Sequence, residues 1–252
     1  MTIQLFSTQG VDYGIIRPVG DSTPRPMLIN LAIDLTNTLG STYNGVGELL
    51  IAAPNPWCVV ALDGPCSGNF QIPPAATDSG MSGWKALVDA NVDFISMFAS
   101  RVQQVIADVR SRGFADQAII AANGFSRGAF LALHLASLGI VSKITGICPL
   151  IRLTGLMEFQ GAPLGEPLPL VPSQLVSRSV YLCDSNRDYR VSAFAMHDFC
   201  RAVVQAHGTA NADISWKFDS VAANAGGHST AANTAKDCAQ WILKQWGEAP
   251  LA

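Results

Sequence analysis

The chain has 252 residues, of which 49% are hydrophobic and 14% are charged, and its formal net charge is −3. This composition excludes a basic nucleic-acid-binding face and a charged disordered tail, and it supplies enough apolar residues for one large core. We therefore expect a single domain over residues 1–252 that acts on a neutral or apolar small molecule.

The first ten residues, MTIQLFSTQG, have neither the basic region nor the continuous apolar region of a signal peptide. No apolar run reaches the roughly 18 residues that a membrane helix requires, and the segment 129–141 contains a histidine and stops short of that length. A soluble, cytoplasmic protein without a membrane partner is expected.

Short β-branched or aliphatic runs alternate with longer amphipathic segments along the chain. This alternation predicts an α/β fold with a mostly parallel central sheet and helices on both faces. The predicted strands cover 14–19, 26–32, 57–62, 118–122, 143–148, 179–183 and 214–219, and the first is expected in an antiparallel edge position. The predicted helices cover 84–110, 127–138, 192–207 and 230–246, and Gly113 is the expected stop of the first helix.

One segment, 154–177, departs from this alternation because it contains GAPLGEPLPLVPSQ, with four prolines. That number excludes a helix or an interior strand. Its apolar side chains, which must cover something, are Leu156, Met157, Phe159, Leu164, Leu168 and Leu170. The segment is either a packed connection between two strands or a small lid over a pocket. As a lid, it would contribute Leu156, Met157, Phe159 and Leu168 to substrate binding.

The sequence GFSRG at 124–128 lies between a predicted strand and a predicted helix. In this context G-x-S-x-G predicts a sharp turn that exposes the Ser126 hydroxyl, with Gly124 and Gly128 where strand and helix crowd each other. The backbone N–H of Arg127 opens the helix and would face an oxyanion. A phosphate-binding loop is excluded, because the lysine and the second hydroxyl residue of its motif are missing.

An acid and a base are expected after later strands, in the order Ser, Asp or Glu, His. Asp184 and Asp188 both follow the run SVYLC, and His228 follows ISWKFDS in a glycine-rich loop. Either aspartate could hold the imidazole of His228, which would remove the proton of Ser126. The other three histidines, at 134, 197 and 207, lie on predicted helices and are interpreted as structural or surface groups.

The cysteines form no C-x-x-C pair, and three of the six lie in apolar strand-like runs. Buried thiols are therefore expected rather than disulfides. The cysteines and histidines show no zinc-ligand spacing, so no metal is expected.

Three segments taken together resemble the α/β-hydrolase superfamily: GFSRG around Ser126, DYRV from Asp188, and GGH ending at His228. Within it, the chain is similar to single-domain esterases, dienelactone hydrolases and prolyl-oligopeptidase-like hydrolases over nearly its whole length. The resemblance implies an α/β-hydrolase fold and points to Asp188 rather than Asp184 as the acid. Where the family often has His-Gly after its third strand, this chain has LINLAIDLTNT, so Ile33 or Asp34 would supply the second oxyanion N–H.

These residues predict a serine esterase that works through an acyl-enzyme, prefers short acyl groups and needs no cofactor. The same constellation would serve a serine peptidase or amidase, although the roughly 120 residues before Ser126 leave no space for the domain that screens peptides in prolyl oligopeptidases. A catalytically silent binding protein of the same fold is the other alternative. The sequence leaves the oligomeric state open, as well as whether the Arg127 side chain contacts substrate or an internal carboxylate.

Overall fold

The computed structural model describes residues 2–20, 23–40, 42–75, 79–160, 165–175, 177–208, 213–219, 228–229 and 231–251. Its centre is an eight-stranded sheet in the order β1-β2-β4-β3-β5-β6-β7-β8. The strands are β1 (Gln4–Thr8), β2 (Val11–Ile16), β3 (Arg25–Leu31), β4 (Cys58–Leu62), β5 (Ala115–Phe125), β6 (Lys143–Ile147), β7 (Ser179–Ser185) and β8 (Asp213–Asp219). From β4 to β8 every neighbouring pair is parallel, which confirms the mostly parallel sheet that the sequence predicts.

Helices cover both faces of the sheet. One face carries α1 (Leu35–Leu39), α2 (Gly45–Ile51) and α7 (Thr234–Gln245), and the other carries α3 (Gly80–Asp89), α4 (Phe94–Ser111), α5 (Arg127–Ser137) and α6 (Ala193–His207). Alternate residues of β3 enter the two cores: Met27 and Ile29 pack on the α4 side, and Leu28 packs on the α7 side. The same burial on both faces explains why β4, with the sequence CVVAL, is apolar and buried throughout. None of the helices described combines the length and apolar character needed to cross a bilayer.

The N-terminal strand pair differs from the prediction. The predicted antiparallel strand at 14–19 is β2, but it lies inside the sheet between β1 and β4, and β1 forms the edge. Gln9 and Gly10 connect the pair as a two-residue turn, with φ of 49° and 77°. Such a turn fits the twist of a hairpin. The sequence of β1, QLFST, is mostly exposed, so its apolar pattern is too weak to reveal it.

The single helix predicted at 84–110 is two helices, α3 and α4. Between them Asn91 has a φ of 53°, which ends the helical path, and the Asp93 side chain accepts a hydrogen bond from the Ser96 N–H to cap α4. The apolar spacing continues across the break because both helices pack on the same core. The predicted stop is confirmed: Gly113 has a φ of 72°, and its N–H donates to the Arg110 carbonyl at 2.9 Å.

The excursion at 154–177 is made of short 3₁₀ turns at Leu153–Gly155, Met157–Phe159 and Pro172–Leu175. Leu164 lies outside the described residues. The buried side chains Leu156, Phe159 and Leu175 belong to the same core as α4 and α5. Much of the excursion is therefore a packed connection, as one of the two alternatives requires.

The structure describes all six cysteines, and each is a buried thiol rather than part of a disulfide. The parallel strands β3, β5 and β7 all end at one edge of the sheet, so the segments that follow them meet there.

Candidate active site

Ser126 lies at the junction of β5 and α5 with a φ of 54° and a ψ of −116°. This is a strained turn for a non-glycine residue. Glycines on both sides make the turn possible: a Cβ on Gly124 would lie 2.3 Å from the Ala129 nitrogen, and one on Gly128 would lie 2.0 Å from the Leu31 carbonyl oxygen. The predicted turn is thus present, with the serine at its tip.

Two hydrogen bonds join Ser126, His228 and Asp188 in a row. The Nε2 atom of His228 is 3.0 Å from the Oγ of Ser126, and its Nδ1 atom is 2.7 Å from an Oδ of Asp188. The His228 and Phe125 rings also pack in a T-shaped arrangement, with 5.4 Å between the ring centroids. Residues 220–227 of the loop that leads to His228 lie outside the described residues.

Asp188 is buried at the turn after β7, and both of its oxygens have partners. One accepts hydrogen bonds from the N–H groups of Arg190 and Val191 at 2.8 and 3.1 Å, and the other faces His228. Burial alone would raise the pKa of Asp188, but the hydrogen bonds from His228 and from these backbone groups outweigh it and lower that pKa. Asp188 is therefore held as a carboxylate.

Asp184, the other candidate acid, lies at the end of β7 and is also buried. It accepts a hydrogen bond from the Ser185 N–H at 2.7 Å. Burial and the nearby charge of Asp188 raise the pKa of Asp184 to about 8, and in its protonated form it hydrogen-bonds to Asp188. Of the two aspartates, Asp188 is the one that contacts His228.

Cys148, Asp188 and His228 bring three possible metal-ligand atoms within 4.8 Å of one another. Burial raises the pKa of the Cys148 thiol, which keeps it in the protonated form that binds metals poorly. A metal bound here would also compete with the hydrogen bond between His228 and Asp188 for the same side chains. This geometry does not favour a resident metal.

The predicted oxyanion donors lie in different surroundings. The N–H of Arg127 is in the first turn of α5, where no intrahelical acceptor exists. Ile33 lines the cavity at Ser126, and its N–H points to the Thr38 hydroxyl at 3.3 Å, a long hydrogen bond. Asp34 lines a separate cavity, and its side chain caps α1 through the Asn37 N–H at 2.9 Å. Of Ile33 and Asp34, the former is the one at the serine.

A cavity of about 200 Å³ opens beside Ser126 and His228. Its apolar wall consists of Ala32, Ile33, Tyr43, Met81, Phe125, Leu150, Leu156 and Val191. Two cationic side chains, Arg127 and Arg190, complete the lining. Sequence reasoning missed Tyr43, Met81 and Leu150, since each comes from a different element and none carries a local signal for the cavity.

The four predicted substrate-binding residues separate into different environments. Leu156 lines the cavity. Phe159 is 1% exposed and lies in the hydrophobic core, and the half-buried Leu168 packs against that core. Met157 is 74% exposed. Because the 3₁₀ turn at Met157–Phe159 directs Phe159 into the core and Met157 to solvent, neither lines this cavity.

The excursion also reaches the cavity through an ion pair. The guanidinium of Arg190 donates two hydrogen bonds to the Glu158 carboxylate, at 3.0 and 2.5 Å. This bidentate pair raises the pKa of Arg190 and lowers that of Glu158. It connects the excursion to the turn that carries Asp188.

No family model and no curated protein sequence matches the chain. Its structure is similar to that of TT1662 from Thermus thermophilus, with 17% identity, a TM-score of 0.67, and coverage of 99% of this chain and 100% of that one. It is also similar to acetyl xylan esterase 1 from Thermoanaerobacterium sp. JW/SL YS485, with 16% identity, a TM-score of 0.60, and coverage of 97% and 88%.

A puromycin-hydrolyzing peptidase from Mycobacterium tuberculosis has 12% identity and a TM-score of 0.67, and the likeness covers 99% of this chain and 40% of the peptidase. Identities this low carry information on the fold alone. Together with the parallel sheet and the sharp turn at Ser126, these likenesses show that the chain has the α/β-hydrolase fold.

Proposed function

We propose that this protein is a serine hydrolase that cleaves a carboxylic ester through an acyl-enzyme intermediate. The observation that carries the proposal is the row of two hydrogen bonds, 3.0 Å from Ser126 to His228 and 2.7 Å from His228 to Asp188. A serine hydroxyl is a weak nucleophile by itself and requires a base that is in turn oriented by a third group. Ser126, His228 and Asp188 meet that requirement.

In the proposed reaction, the Oγ of Ser126 attacks the ester carbonyl carbon while the Nε2 of His228 takes the hydroxyl proton. The N–H of Arg127 and the N–H of Ile33 then donate to the oxyanion. Collapse of the tetrahedral intermediate breaks the bond to the alcohol oxygen, which receives the proton from His228. Water, deprotonated by His228, attacks the acyl-enzyme in the same way and releases the acid. Asp188 stays ionised throughout and stabilises the imidazolium.

Ser126→Ala tests the proposal directly. Hydrolysis of p-nitrophenyl acetate should fall by about 10⁴-fold or more, because loss of the nucleophile removes the acyl-enzyme route. The matched control is Ser100→Ala, which removes an exposed serine of α4 and should leave turnover at the wild-type level. The melting temperatures of both variants show whether the fold is intact. Wild-type turnover in the Ser126 variant would refute the assignment.

The size of the cavity supports a preference for short acyl groups. Its volume of about 200 Å³ is below the roughly 300–1,000 Å³ of common small-molecule pockets. Each buried methylene contributes about 0.8 kcal/mol until the wall is reached. In a series of p-nitrophenyl esters, kcat/KM should peak between acetyl and butyryl, and Leu156→Ala should move the peak to longer chains. Activity that still rises at eight carbons would contradict the size argument.

A catalytically silent binding protein is the second candidate, and the contact between the Ile33 N–H and the Thr38 hydroxyl favours it. That contact occupies one proposed oxyanion donor. A fluorophosphonate probe separates the two candidates, because an activated Ser126 reacts covalently and an inert one does not. The modified peptide, identified by mass spectrometry, should contain Ser126 and no other serine.

Peptide or amide cleavage is the alternative within the hydrolase class. The structural likeness to a puromycin-hydrolyzing peptidase supports this alternative. Esters are favoured here because the chain is also similar to an acetyl xylan esterase, and that likeness covers 88% of the esterase against 40% of the peptidase. Comparing kcat/KM for p-nitrophenyl acetate and p-nitroacetanilide distinguishes the two reactions. A larger value for the anilide would reverse the preference.

A further inference from the structure

The side chain of Arg127 is an unusual group to find in the cavity at Ser126. Arg127 is the first residue of α5, and no acidic residue lies in the first turn of that helix. The dipole of a helix disfavours a cation at this end. The side chain is also half-buried, and burial lowers the pKa of its guanidinium. Two physical costs therefore act against an arginine here.

The contacts of Arg127 do not offset these costs. Its Nε donates to the Ala32 carbonyl at 3.3 Å, and one Nη donates to the Ser67 hydroxyl at 3.5 Å. Both distances are long for hydrogen bonds, and both acceptors are uncharged. In the part of the chain that the structure describes, no carboxylate lies within the 4.0 Å ion-pair distance of this guanidinium. An arginine has five N–H donors, so several remain for a ligand.

The carboxylate that acts most strongly on Arg127 already has hydrogen-bond partners of its own. Among the charged groups around Arg127, Asp34 has the largest effect on the pKa of the guanidinium, which it raises. Its carboxylate accepts hydrogen bonds from the Asn37 N–H at 2.9 Å and from the Asn37 side-chain amide at 2.6 Å. These bonds hold it in the cap of α1, in a neighbouring cavity.

Arg190, the other cation in the cavity, gives the contrast. Its bidentate pair with Glu158 neutralises it at distances of 3.0 and 2.5 Å. The cavity therefore holds one neutralised guanidinium and one that lacks an anion among the described residues. A bound anion next to Ser126 would supply what Arg127 lacks, since Arg pairs with a carboxylate in a planar two-bond arrangement.

We propose that the Arg127 side chain binds the carboxylate of an anionic substrate, and that the substrate class is the half ester of a short dicarboxylic acid. This inference rests on the proposed ester hydrolysis and replaces the neutral substrate expected from the composition. The ester carbonyl would lie at Ser126 and the free carboxylate at Arg127. A chain of four or five carbons fits the cavity of about 200 Å³.

The first test compares two ethyl esters of equal chain length, monoethyl glutarate and ethyl valerate, with hydrolysis followed by acid release at constant pH. The wild type should favour the half ester, and Arg127→Gln should lower the ratio of the two kcat/KM values by about 10- to 100-fold. Taking the ratio cancels any effect on chemistry common to both esters. The substitution keeps the backbone N–H that the oxyanion requires.

Two further variants sharpen this test. Arg187→Gln removes an exposed cation that does not line the cavity, and its ratio should stay within about twofold of wild type if long-range charge is unimportant. Arg127→Lys keeps the charge without the planar fork, so its ratio should lie between those of wild type and Arg127→Gln. A wild type that favours ethyl valerate, or an unchanged ratio in Arg127→Gln, would overturn the proposal.

A binding measurement keeps this inference separate from the proposed activity. Ser126→Ala protein is titrated with monoethyl glutarate by calorimetry, which needs no turnover. Binding should be about 10- to 100-fold weaker when Arg127→Gln is added, and ethyl valerate should bind about equally to both proteins. Binding that depends on Arg127 without any hydrolysis by the wild type would keep the anion site and refute the esterase. Hydrolysis of monoethyl glutarate without Arg127-dependent binding would keep the esterase and refute the anion site.

Discussion

The end of β7 and the turn that follows it each carry an aspartate, and the two make an informative comparison. Asp184 and Asp188 are both buried, and Asp188 interacts with Asp184 strongly enough to raise its pKa. Their pKa values nevertheless move in opposite directions, to about 8 for Asp184 and below the usual value for Asp188. The difference comes from donors: Asp188 accepts from His228 and two backbone N–H groups, whereas Asp184 accepts from the Ser185 N–H and the weakly donating Cys148 thiol.

Two adjacent carboxyl groups that share a buried space rarely ionise together. Here the geometry decides which one keeps its proton. Asp188 carries the charge because its hydrogen bonds stabilise it, and Asp184 keeps its proton and directs its O–H toward Asp188. A buried carboxyl group can thus act as a hydrogen-bond donor behind the residue that orients His228.

The largest effect expected from this comparison is that of Asp188→Asn. The amide cannot hold the imidazole of His228 in the required tautomer or stabilise its positive charge, so kcat for p-nitrophenyl acetate should fall by about 10⁴-fold. The measurement is steady-state turnover, with circular dichroism as a check of the fold. If Asp184→Asn proves the more damaging change, the two roles are reversed.

The next prediction concerns stability and pH. The folded pKa of Asp184, about 8, lies above the unfolded value of about 3.8. The folded state therefore binds more protons between these values, and the free energy of unfolding should fall as pH rises from 4 to 8.

Asp184→Asn removes the group that titrates, so this fall should be absent in the variant and the variant should gain stability relative to wild type toward pH 8. Urea unfolding at pH 5, 6.5 and 8 gives the comparison. Parallel pH profiles for the two proteins would show that Asp184 ionises normally in the fold.

A smaller effect is expected on the titration of Asp184 when its neighbour is neutralised. In Asp188→Asn the charge of Asp188 is lost, so the pKa of Asp184 should fall from about 8 while burial still keeps it above the usual value. The decrease in unfolding free energy with pH should then end at a lower pH than in wild type. An unchanged profile would mean that burial alone raises the pKa.

The smallest effect is expected for Asp184→Asn on turnover. Asparagine has the shape of a protonated aspartate and can donate its amide N–H to Asp188, so kcat should stay within about tenfold of wild type at pH 7. Asp184→Ala, which removes the donor, serves as the paired variant and should lower kcat further. Equal values in the two variants would show that the donated hydrogen bond has no effect on the reaction.

Local sequence predicted the parts of the molecule that depend on short-range patterns. The seven predicted strands end within a few residues of their predicted limits, because each contains a short run rich in apolar or β-branched residues. The turn at Ser126 was visible because its two glycines occupy positions that have no space for a Cβ. The choice of Asp188 over Asp184 came from the resemblance of DYRV to a family pattern, and the geometry now gives it a physical reason.

Features that depend on distant partners were not predictable in the same way. The break at Asn91 was missed because α3 and α4 present their apolar residues to the same core, so the spacing runs through it. The burial of Phe159 in the core, and not at the cavity, could not be predicted, because an apolar side chain in a loop gives no sign of which apolar surface it covers. The pairing of Arg190 with Glu158, 32 residues away in sequence, has no local signal either.

The backbone at Ser126 also limits which nucleophiles this protein could acquire in evolution or by design. With a φ of 54°, the position accepts unbranched side chains at a modest cost, whereas a β-branched threonine would be a severe steric outlier. A thiol nucleophile is therefore one tolerated substitution away at Ser126, and a secondary alcohol is not. Directed evolution toward new acyl-transfer chemistry in this scaffold should find cysteine variants at this position and no threonine variants.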